Sequence, residues 1–288
     1  MSKNHAVYSK GTKVTRSLTW LFMLFMAILM VFPVVYIVLG SFKTNAELLV
    51  GGTNLFPAKF ILTNYSEAWT QANFAQYTLN SVILATGVML LSLVNATMAG
   101  YVFSRKEFKG KRLLYGLFIA FMFINVGSIS LRPLFELAVK LRMNNSLLSV
   151  ILISAGGGQA TYIFLSRGFV DALPRELDEA AKIDGCSFLQ TYRMIILPLL
   201  KPVVATIAIL SFRQGWNEYI MPLVFTMTNE KLRPLTVGVN MLKNAGDGTA
   251  AWHIMFAGAT IAIIPMLIVY AFFGRYFMSG IAAGAVKG

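Results

Sequence analysis

Long apolar runs alternate with shorter polar segments along most of the chain. Six of these runs approach the roughly 20 residues that an α-helix needs to cross the hydrocarbon core of a bilayer. A helix satisfies its backbone hydrogen bonds internally, so it is the expected form of such runs. The pattern therefore predicts an all-α integral membrane protein. The six transmembrane helices are predicted at residues 18–40, 76–99, 113–132, 147–166, 203–222 and 254–274.

The segment 167–201, between the fourth and fifth predicted spans, is polar and begins with a predicted short helix. Pro174 suits a first helical position, because its missing N–H is no loss there. Glu176 near the start and Lys182 near the end complement the helix dipole. Gly185 can adopt the left-handed conformation that ends a helix. The segment is therefore predicted to make a sharp turn at this glycine.

A second short helix is predicted directly after this turn. Ser187 and Gln190 have the spacing of a capping box, in which the two side chains bond to each other's backbone N–H groups. Pro198 is expected to terminate the helix. The segment 167–201 is thus predicted to be a helix–turn–helix between two membrane spans.

The first of these two helices carries a narrow apolar face. Leu177, Ala180 and Ala181 recur at three- and four-residue spacing among charged residues. Small alanines let another backbone approach closely, and the surrounding charges can hold it in register. An ordinary amphipathic surface helix explains the same periodicity. The pattern alone does not choose between docking and surface exposure.

The composition excludes an ordinary soluble protein. Of 288 residues, 57% are hydrophobic and 13% charged, and the mean hydropathy is +0.66. Soluble domains have nearer a quarter of their residues charged. The net charge of +13 would suggest nucleic acid as a partner of a soluble chain, but here the basic residues flank apolar runs. Their placement indicates orientation in a membrane rather than nucleic-acid binding.

Several kinds of chemistry are absent from the sequence. A single cysteine allows no intrachain disulfide, and the two histidines, His5 and His253, are isolated from each other. No GxxxxGK[ST] phosphate-binding loop occurs. We therefore predict no catalytic residue, no metal site and no bound cofactor in this chain. Energy from ATP would have to come through a partner subunit.

The positive-inside rule predicts the orientation. With both termini inside, at residues 1–17 and 275–288, the inside segments hold sixteen Lys and Arg residues and the outside segments hold eight. This excess places the polar segment 167–201 on the cytoplasmic side. The predicted topology is therefore six spans with both termini in the cytoplasm.

The predicted fifth span is interrupted by polar side chains. A charge near the bilayer centre costs roughly 2.5–3.5 kcal/mol on insertion scales and should face protein or water. One interpretation is packing, in which a neighbouring subunit neutralises Arg213. The other is the polar wall of a substrate cavity, in which guanidinium and amide groups donate to solute oxygens and Trp216 stacks on a solute ring. The candidate pathway residues are Arg213, Gln214, Trp216, Asn217 and Glu218.

The polar segment also resembles a known signature. Glu179-Ala180-Ala181 is followed after three residues by Gly185, and after nine more by Ile195-x-Leu197-Pro198. This spacing resembles the EAA loop of ABC importer permeases. In that family the loop is a coupling helix that fits into a cleft on the cytoplasmic ATPase. The chain departs from the usual sugar-permease pattern at Cys186, where alanine is common.

The resemblance extends over most of the chain and is to carbohydrate-uptake permeases of the maltose and oligosaccharide type. Its further elements are Ala99–Arg105 with Phe108-x-Gly110-Lys111, Tyr162–Phe169, Trp216-Asn217-Glu218 and the ending Gly284–Gly288. The chain departs from the family near the end of the third span, where Asn125-Val126-Gly127 replaces a Met-x-Pro element. The ABC transmembrane domain is expected at about residues 76–274.

This resemblance implies a complete importer. The chain would be one of two homologous permeases in a bacterial cytoplasmic membrane. Its partners would be two ATPases that hold ATP-Mg and an extracytoplasmic sugar-binding protein, and the substrate would be a sugar, in particular an oligosaccharide. Glu179 would contact the ATPase, Ala180 and Ala181 would allow close docking, and Gly185 would supply the bend. The predicted coupling set also includes Leu177 and Pro198.

Two alternatives remain open on the sequence. The solute of an ABC permease could instead be a sugar phosphate, a polyol or a uronate oligomer, and the Arg213 charge would suit an acidic sugar. A secondary transporter or membrane scaffold without an ATPase would belong to a different class, and it would leave the complete EAA spacing without a reason.

Overall fold

In the computed structural model, the chain is described over residues 10–50, 54–124, 127–245 and 250–285. All regular elements in these ranges are helical, which confirms the predicted all-α class for this part of the chain. Residues 1–9 and 286–288, which belong to the predicted cytoplasmic termini, lie outside the described residues, as do Asn125 and Val126.

The chain forms two compact units, one made of residues 1–68 and 242–261 and the other of residues 69–241 and 262–288. The first unit contains three helices and the beginning of the last long helix. They are α1 (Lys10–Gly40), α2 (Asn45–Leu49), α3 (Thr63–Gln71, whose end lies in the second unit) and α15 (Trp252–Ala285). Helix α2 begins at a capping box between Thr44 and Glu47.

The second unit holds most of the helices. They are α4 (Phe74–Arg105), α5 (Lys111–Phe121), α6 (Leu131–Lys140), α7 (Leu147–Gly157), α8 (Gln159–Asp171), α9 (Glu176–Ile183), α10 (Phe188–Thr191), α11 (Leu197–Leu199), α12 (Lys201–Asn217), α13 (Ile220–Phe225) and α14 (Leu235–Met241). A π-helical turn, Tyr192–Ile196, joins α10 to α11. Short 3₁₀ segments lie at Gly127–Ser130, Glu230–Leu232 and Leu242–Ala245, the last of these in the first unit.

Helix α4 is the centre of the second unit, because α7, α8 and α12 pack along it. Small residues let these backbones approach. A Cβ added at Gly215 on α12 would lie 2.8 Å from the Cα atom of Ala85 on α4. One added at Gly100 on α4 would lie 2.5 Å from Ser166 Oγ on α8. Close packing through small residues is the usual basis of helix association in lipid.

Three helical stretches are long and apolar enough to cross a membrane, namely Thr15–Gly40, Phe74–Arg105 and Trp252–Phe272. Two further pairs qualify only if each pair is counted as one span: α7 with α8, bent by 54°, and Phe188–Leu199 with α12, bent by 83°. The described residues therefore contain three to five candidate spans by length and composition, not the six continuous helices that the hydrophobic pattern predicts.

Three predicted spans are interrupted in the structure. The range 203–222 is broken at Glu218 and Tyr219, between α12 and α13. The range 113–132 is divided between α5, which ends at Phe121, and α6. Small and hydroxyl-bearing residues explain part of this break, since Ser130 Oγ donates to the carbonyl of Gly127 over 2.9 Å. The range 147–166 bends at Gly158, because three consecutive glycines are poor helix formers.

The contact at Gly100 gives a test of the α4–α8 packing. We expect Gly100→Ala to lower the stability of the purified protein by about 1–3 kcal/mol, since a methyl group has no room beside Ser166 Oγ and the backbone N of Arg167. The matched control is Gly116→Ala in α5, where nothing lies within 4 Å of the added Cβ. Thermal unfolding in detergent measures both variants. Equal midpoints would contradict the packing described here.

Candidate functional site

Asp178 fixes the short helix α9 to the end of α4. Tyr101 Oη donates to Asp178 Oδ1 over 2.5 Å, and Arg105 Nε lies 2.8 Å from Asp178 Oδ2. The same guanidinium donates through Nη2 to the carbonyl of Leu173, at 2.8 Å. Both carboxylate oxygens are thus engaged by α4, and Arg105 also holds the chain just before α9.

An aromatic stack attaches the second short helix to the same place. The ring of Phe188 on α10 stacks on Tyr101 at a centroid distance of 4.5 Å. Tyr192 follows at 5.7 Å from Tyr101, and its hydroxyl is 2.7 Å from Thr97 Oγ1 on α4. Lys106 Nζ lies 4.5 Å above the Phe188 ring. Both helices of the helix–turn–helix are therefore anchored on the last three turns of α4.

The turn between the arms has the predicted chemistry. Gly185 has φ +79°, in the left-handed region. Its N–H donates to the carbonyl of Lys182 and the next N–H, from Cys186, donates to that of Ala181, at 3.1 and 2.9 Å. This is the Schellman pattern of helix ends. The capping box is also present, with Ser187 N–H donating to Gln190 Oε1 over 2.7 Å.

The structure divides the predicted docking residues between two sides of α9. Ala181 is 1% exposed and Leu177 is half-buried, so both pack within the chain. Glu179, Ala180 and the turn residue Gly185 are exposed. The predicted single apolar face is therefore not one surface, because Leu177 and Ala181 lie one turn apart on the buried side of α9 and Ala180 does not.

Ile183, at the end of α9, is 86% exposed and was not among the predicted docking residues. It lies three and four residues after Ala180 and Glu179, so it shares their side of the helix. An apolar residue at this spacing on an otherwise polar helix is the sequence pattern that could have identified it. Glu179, Ala180 and Ile183 form what we call the outer face of α9. Docking of a partner on this face stays a prediction.

The second helix ends at Leu199, one residue after the predicted end at Pro198. The helical chain continues through Leu199, with Pro198 in α11. The π turn Tyr192–Ile196 explains the difference, because its bonding runs from Leu197 N–H to the carbonyl of Tyr192. This π-type hydrogen bond comes directly before Pro198, which has no backbone N–H to donate. The helical direction then changes by 83° before α12.

Gln214 holds the break between α7 and α8. Its Nε2 donates to the carbonyl of Ser154 over 2.6 Å, and its Oε1 accepts from Tyr162 Oη at 3.0 Å. A Cβ added at Gly158 would lie 2.8 Å from Gln214 Oε1 and 2.6 Å from the Tyr162 ring. Where a helix breaks at membrane depth, freed backbone groups need such side-chain partners. The amide of Gln214 is therefore occupied within the chain.

The other polar candidates on this helix are placed apart. Trp216 is 4% exposed and stacks on Phe212 at 6.0 Å, so its ring is enclosed. Arg213 and Asn217 are exposed and lie one turn apart on α12. Glu218 is half-buried just past the end of α12, and its carbonyl accepts from Thr236 Oγ1 at 2.7 Å. Arg213 and Asn217 are the members of the predicted pathway set that share an open surface.

Comparison with known proteins identifies the class of this fold and loop. Residues 92–282 match the family described as "Binding-protein-dependent transport system inner membrane component". Because this match covers about two thirds of the chain, the protein belongs to that family of ABC importer permeases. The family comprises transport components rather than enzymes, and its membership confirms the resemblance that the EAA spacing suggested.

Named relatives cover nearly the whole chain. The arabinooligosaccharides transport system permease protein AraQ of Halalkalibacterium halodurans is 33% identical over 96% of this chain and 99% of its own length. The melibiose/raffinose/stachyose import permease protein MelC of Bacillus subtilis is 34% identical, over 81% of this chain and 84% of its own.

A solved structure shows the same fold. A chain from a bacterial ABC transporter involved in the import of the acidic polysaccharide alginate matches with a TM-score of 0.79, covering 94% of this chain and 99% of that chain. The sequence identity is 22%, so this similarity concerns the fold alone.

The Asp178 contacts predict how firmly α9 is held. We expect Asp178→Asn to increase hydrogen exchange of the backbone amides in residues 176–185, because the Arg105 charge then lacks its counter-ion. Glu176→Gln is the matched control, because it removes an exposed carboxylate from the same first turn of α9. Mass spectrometry of exchanged peptides compares the variants, and equal exchange in both would argue against the anchor.

Proposed function

We propose that this chain carries an oligosaccharide across the bacterial cytoplasmic membrane, as one of two permease subunits of an ATP-driven importer. One observation carries this proposal. Helix α9 is tied through Asp178 to the central helix α4, while the outer face of α9 stays exposed. A helix that is anchored on one side and open on the other suits transmission of force from a docked partner.

The path of that force follows the contacts. ATP binding closes a pair of ATPase subunits, which move the docked outer face. Because Asp178 joins α9 to Tyr101 and Arg105, this displacement reaches the end of α4. Helix α4 packs along α8 and α12, so the spans move with it and open the pathway to the opposite side. ATP hydrolysis then resets the subunits.

The chain needs no cofactor of its own for this role. ATP-Mg is held by the two ATPases, and the solute is delivered by an extracytoplasmic binding protein. The second permease completes the pathway against the exposed surface of this chain. Family membership supports the binding protein in particular, since the family's description names it as the protein on which transport depends.

The substrate class follows from the relatives and from α12. Arabinooligosaccharides and the melibiose, raffinose and stachyose group are the solutes named for two relatives. Exposed Arg213 and Asn217 offer donors one turn apart, which suits sugar hydroxyls. An acidic oligosaccharide is the second candidate, because an exposed guanidinium in a membrane helix favours an anionic solute.

The topology that we propose has six spans and both termini in the cytoplasm. The third span would include α5 and cross the range 113–132 with a break. The fourth would be the bent pair α7 and α8. The excess of Lys and Arg in the inside segments supports this arrangement, and it places the α9–α10 loop within reach of cytoplasmic ATPases.

Coupling through the outer face is tested by Glu179→Lys. We expect uptake by proteoliposomes that hold the complete importer to fall roughly tenfold or more, because the charge reversal opposes ATPase docking. Uptake is measured with labelled neutral and acidic oligosaccharides, and assembly by co-purification of the ATPase. Glu136→Lys, an exposed charge reversal on α6, is the control and should transport normally. Full uptake by Glu179→Lys would refute the coupling role.

The outcome across solutes settles the substrate class. Accumulation of neutral oligosaccharides supports the first proposal. Uptake restricted to acidic oligosaccharides supports the second proposal instead. If the preparation hydrolyses ATP without solute but accumulates neither kind of oligosaccharide, both proposals are contradicted.

The lone cysteine tests the orientation. We expect a membrane-impermeant thiol reagent to leave Cys186 unlabelled in intact spheroplasts and to label it after permeabilisation, because the proposed topology places it inside. The control is Cys186→Ser with Asn229→Cys, which places the thiol in a segment proposed to be outside. That variant should be labelled in both conditions. Labelling of native Cys186 in intact spheroplasts would invert the proposed topology.

A further inference from the structure

A cavity of about 290 Å³ lies behind the α9–α10 turn, between that turn and the end of α4. Arg105 and Lys106 line it from α4 and the residue that caps it, Lys182 from α9, and Cys186 and Phe188 from the turn and α10. The outer face of α9 does not contribute to it. The cavity is therefore separate from the surface proposed to dock the ATPase.

The charges of this cavity do not balance. Three of its lining side chains are cationic and one, Asp178, is a carboxylate. Both oxygens of Asp178 are already engaged by Tyr101 and Arg105. Within the described part of the chain, Lys106 and Lys182 have no carboxylate oxygen within 4.0 Å. Two ammonium groups therefore border the cavity without a counter-ion.

The neighbouring acid is not free to neutralise them. Glu107 follows Lys106 in the chain, but Glu107 Oε1 lies 2.7 Å from Lys111 Nζ. That hydrogen bond lowers the pKa of Glu107, so the carboxylate is held ionised against Lys111. The positive excess of the cavity thus persists, because Asp178 and Glu107 are both engaged by other cations.

We infer that this cavity binds a phosphate-bearing anion, held by Lys106 and Lys182. A phosphomonoester carries a charge of about −1.5 to −2 at neutral pH and several acceptor oxygens, which matches two uncompensated ammonium groups. Lysine serves phosphate as a point charge that needs no fixed fork geometry. The Arg105 charge is balanced by Asp178, so the two lysines carry the excess, and Phe188 supplies an apolar side of the cavity.

Such an anion would join two elements that move in transport. Lys106 directly follows α4, whereas Lys182 lies on α9. A ligand that bridges them adds a second tie beside the Asp178 contact, so its occupancy sets how rigidly α9 follows α4. This regulatory consequence rests on the proposed coupling function, but the binding itself does not. The source is either a soluble phosphate compound or an anionic lipid headgroup.

Cys186 reports on the cavity directly, since it lines the cavity and is the only cysteine of the chain. The importer in phosphatidylcholine nanodiscs, without nucleotide, is treated with an uncharged maleimide, and modification of the Cys186 peptide is followed by mass spectrometry. We expect millimolar inorganic phosphate to slow this modification roughly threefold or more at saturation, compared with chloride at equal ionic strength. Nanodiscs containing phosphatidylglycerol, without free phosphate, form the lipid arm.

The variants decide whether the lysines hold the anion. Lys106→Gln and Lys182→Gln should each abolish the protection, measured as the ratio of rates with and without the anion within each variant. Lys109→Gln removes a charge that does not line the cavity and should keep the protection. Slowing by phosphate alone assigns a soluble ligand, and slowing by phosphatidylglycerol alone assigns a lipid. The inference is overturned if neither phosphate nor phosphatidylglycerol slows the modification of Cys186, or if the slowing persists in both glutamine variants. Neither of these results tests uptake.

Discussion

The carboxylate of Asp178 is the contact on which the cytoplasmic end of the second unit depends. It receives a hydroxyl from Tyr101 and a guanidinium from Arg105, both on α4. A partly buried ion pair of this kind is costly to break on one side only, because an unpaired charge then remains in a poorly solvated place. Removal of either partner therefore affects more than one contact. The helix–turn–helix, the aromatic stack and the cavity behind the turn are all arranged around this group.

A second constraint acts where the helices break, because the backbone polar groups freed there need partners. The chain bends at Gly158 and at the junction of α11 with α12, by 54° and 83°. At the first bend the partner is Gln214, which bonds to Ser154 and Tyr162. At the second, the N–H of Leu197 donates to the carbonyl of Tyr192 in the π turn that directly precedes Pro198. Irregular backbone of this kind is tolerated at membrane depth only where protein groups or water satisfy it.

The two constraints together separate the roles of neighbouring polar residues. Side chains that hold the fold, such as Gln214 and Asp178, have their hydrogen-bonding groups occupied within the chain. Exposed groups, such as Glu179 on α9 and Arg213 on α12, are the ones available to partners or solute. Sequence position does not distinguish these classes, since Arg213 and Gln214 are adjacent. Their difference in direction on the helix assigns one to packing and the other to an open surface.

The sequence by itself determined the membrane class, the helical nature of the chain, the turn at Gly185 and the capping box at Ser187, because composition and local backbone chemistry act over a few residues. It also carried the permease family through the spacing of the EAA signature. Tertiary structure alone decided that Ala181 packs inside while Ile183 lies outside, that Gln214 holds a helix break, and that Lys106 and Lys182 border one cavity. These arrangements join residues tens of positions apart, and they follow from how α4 packs against its neighbours, which no local pattern encodes.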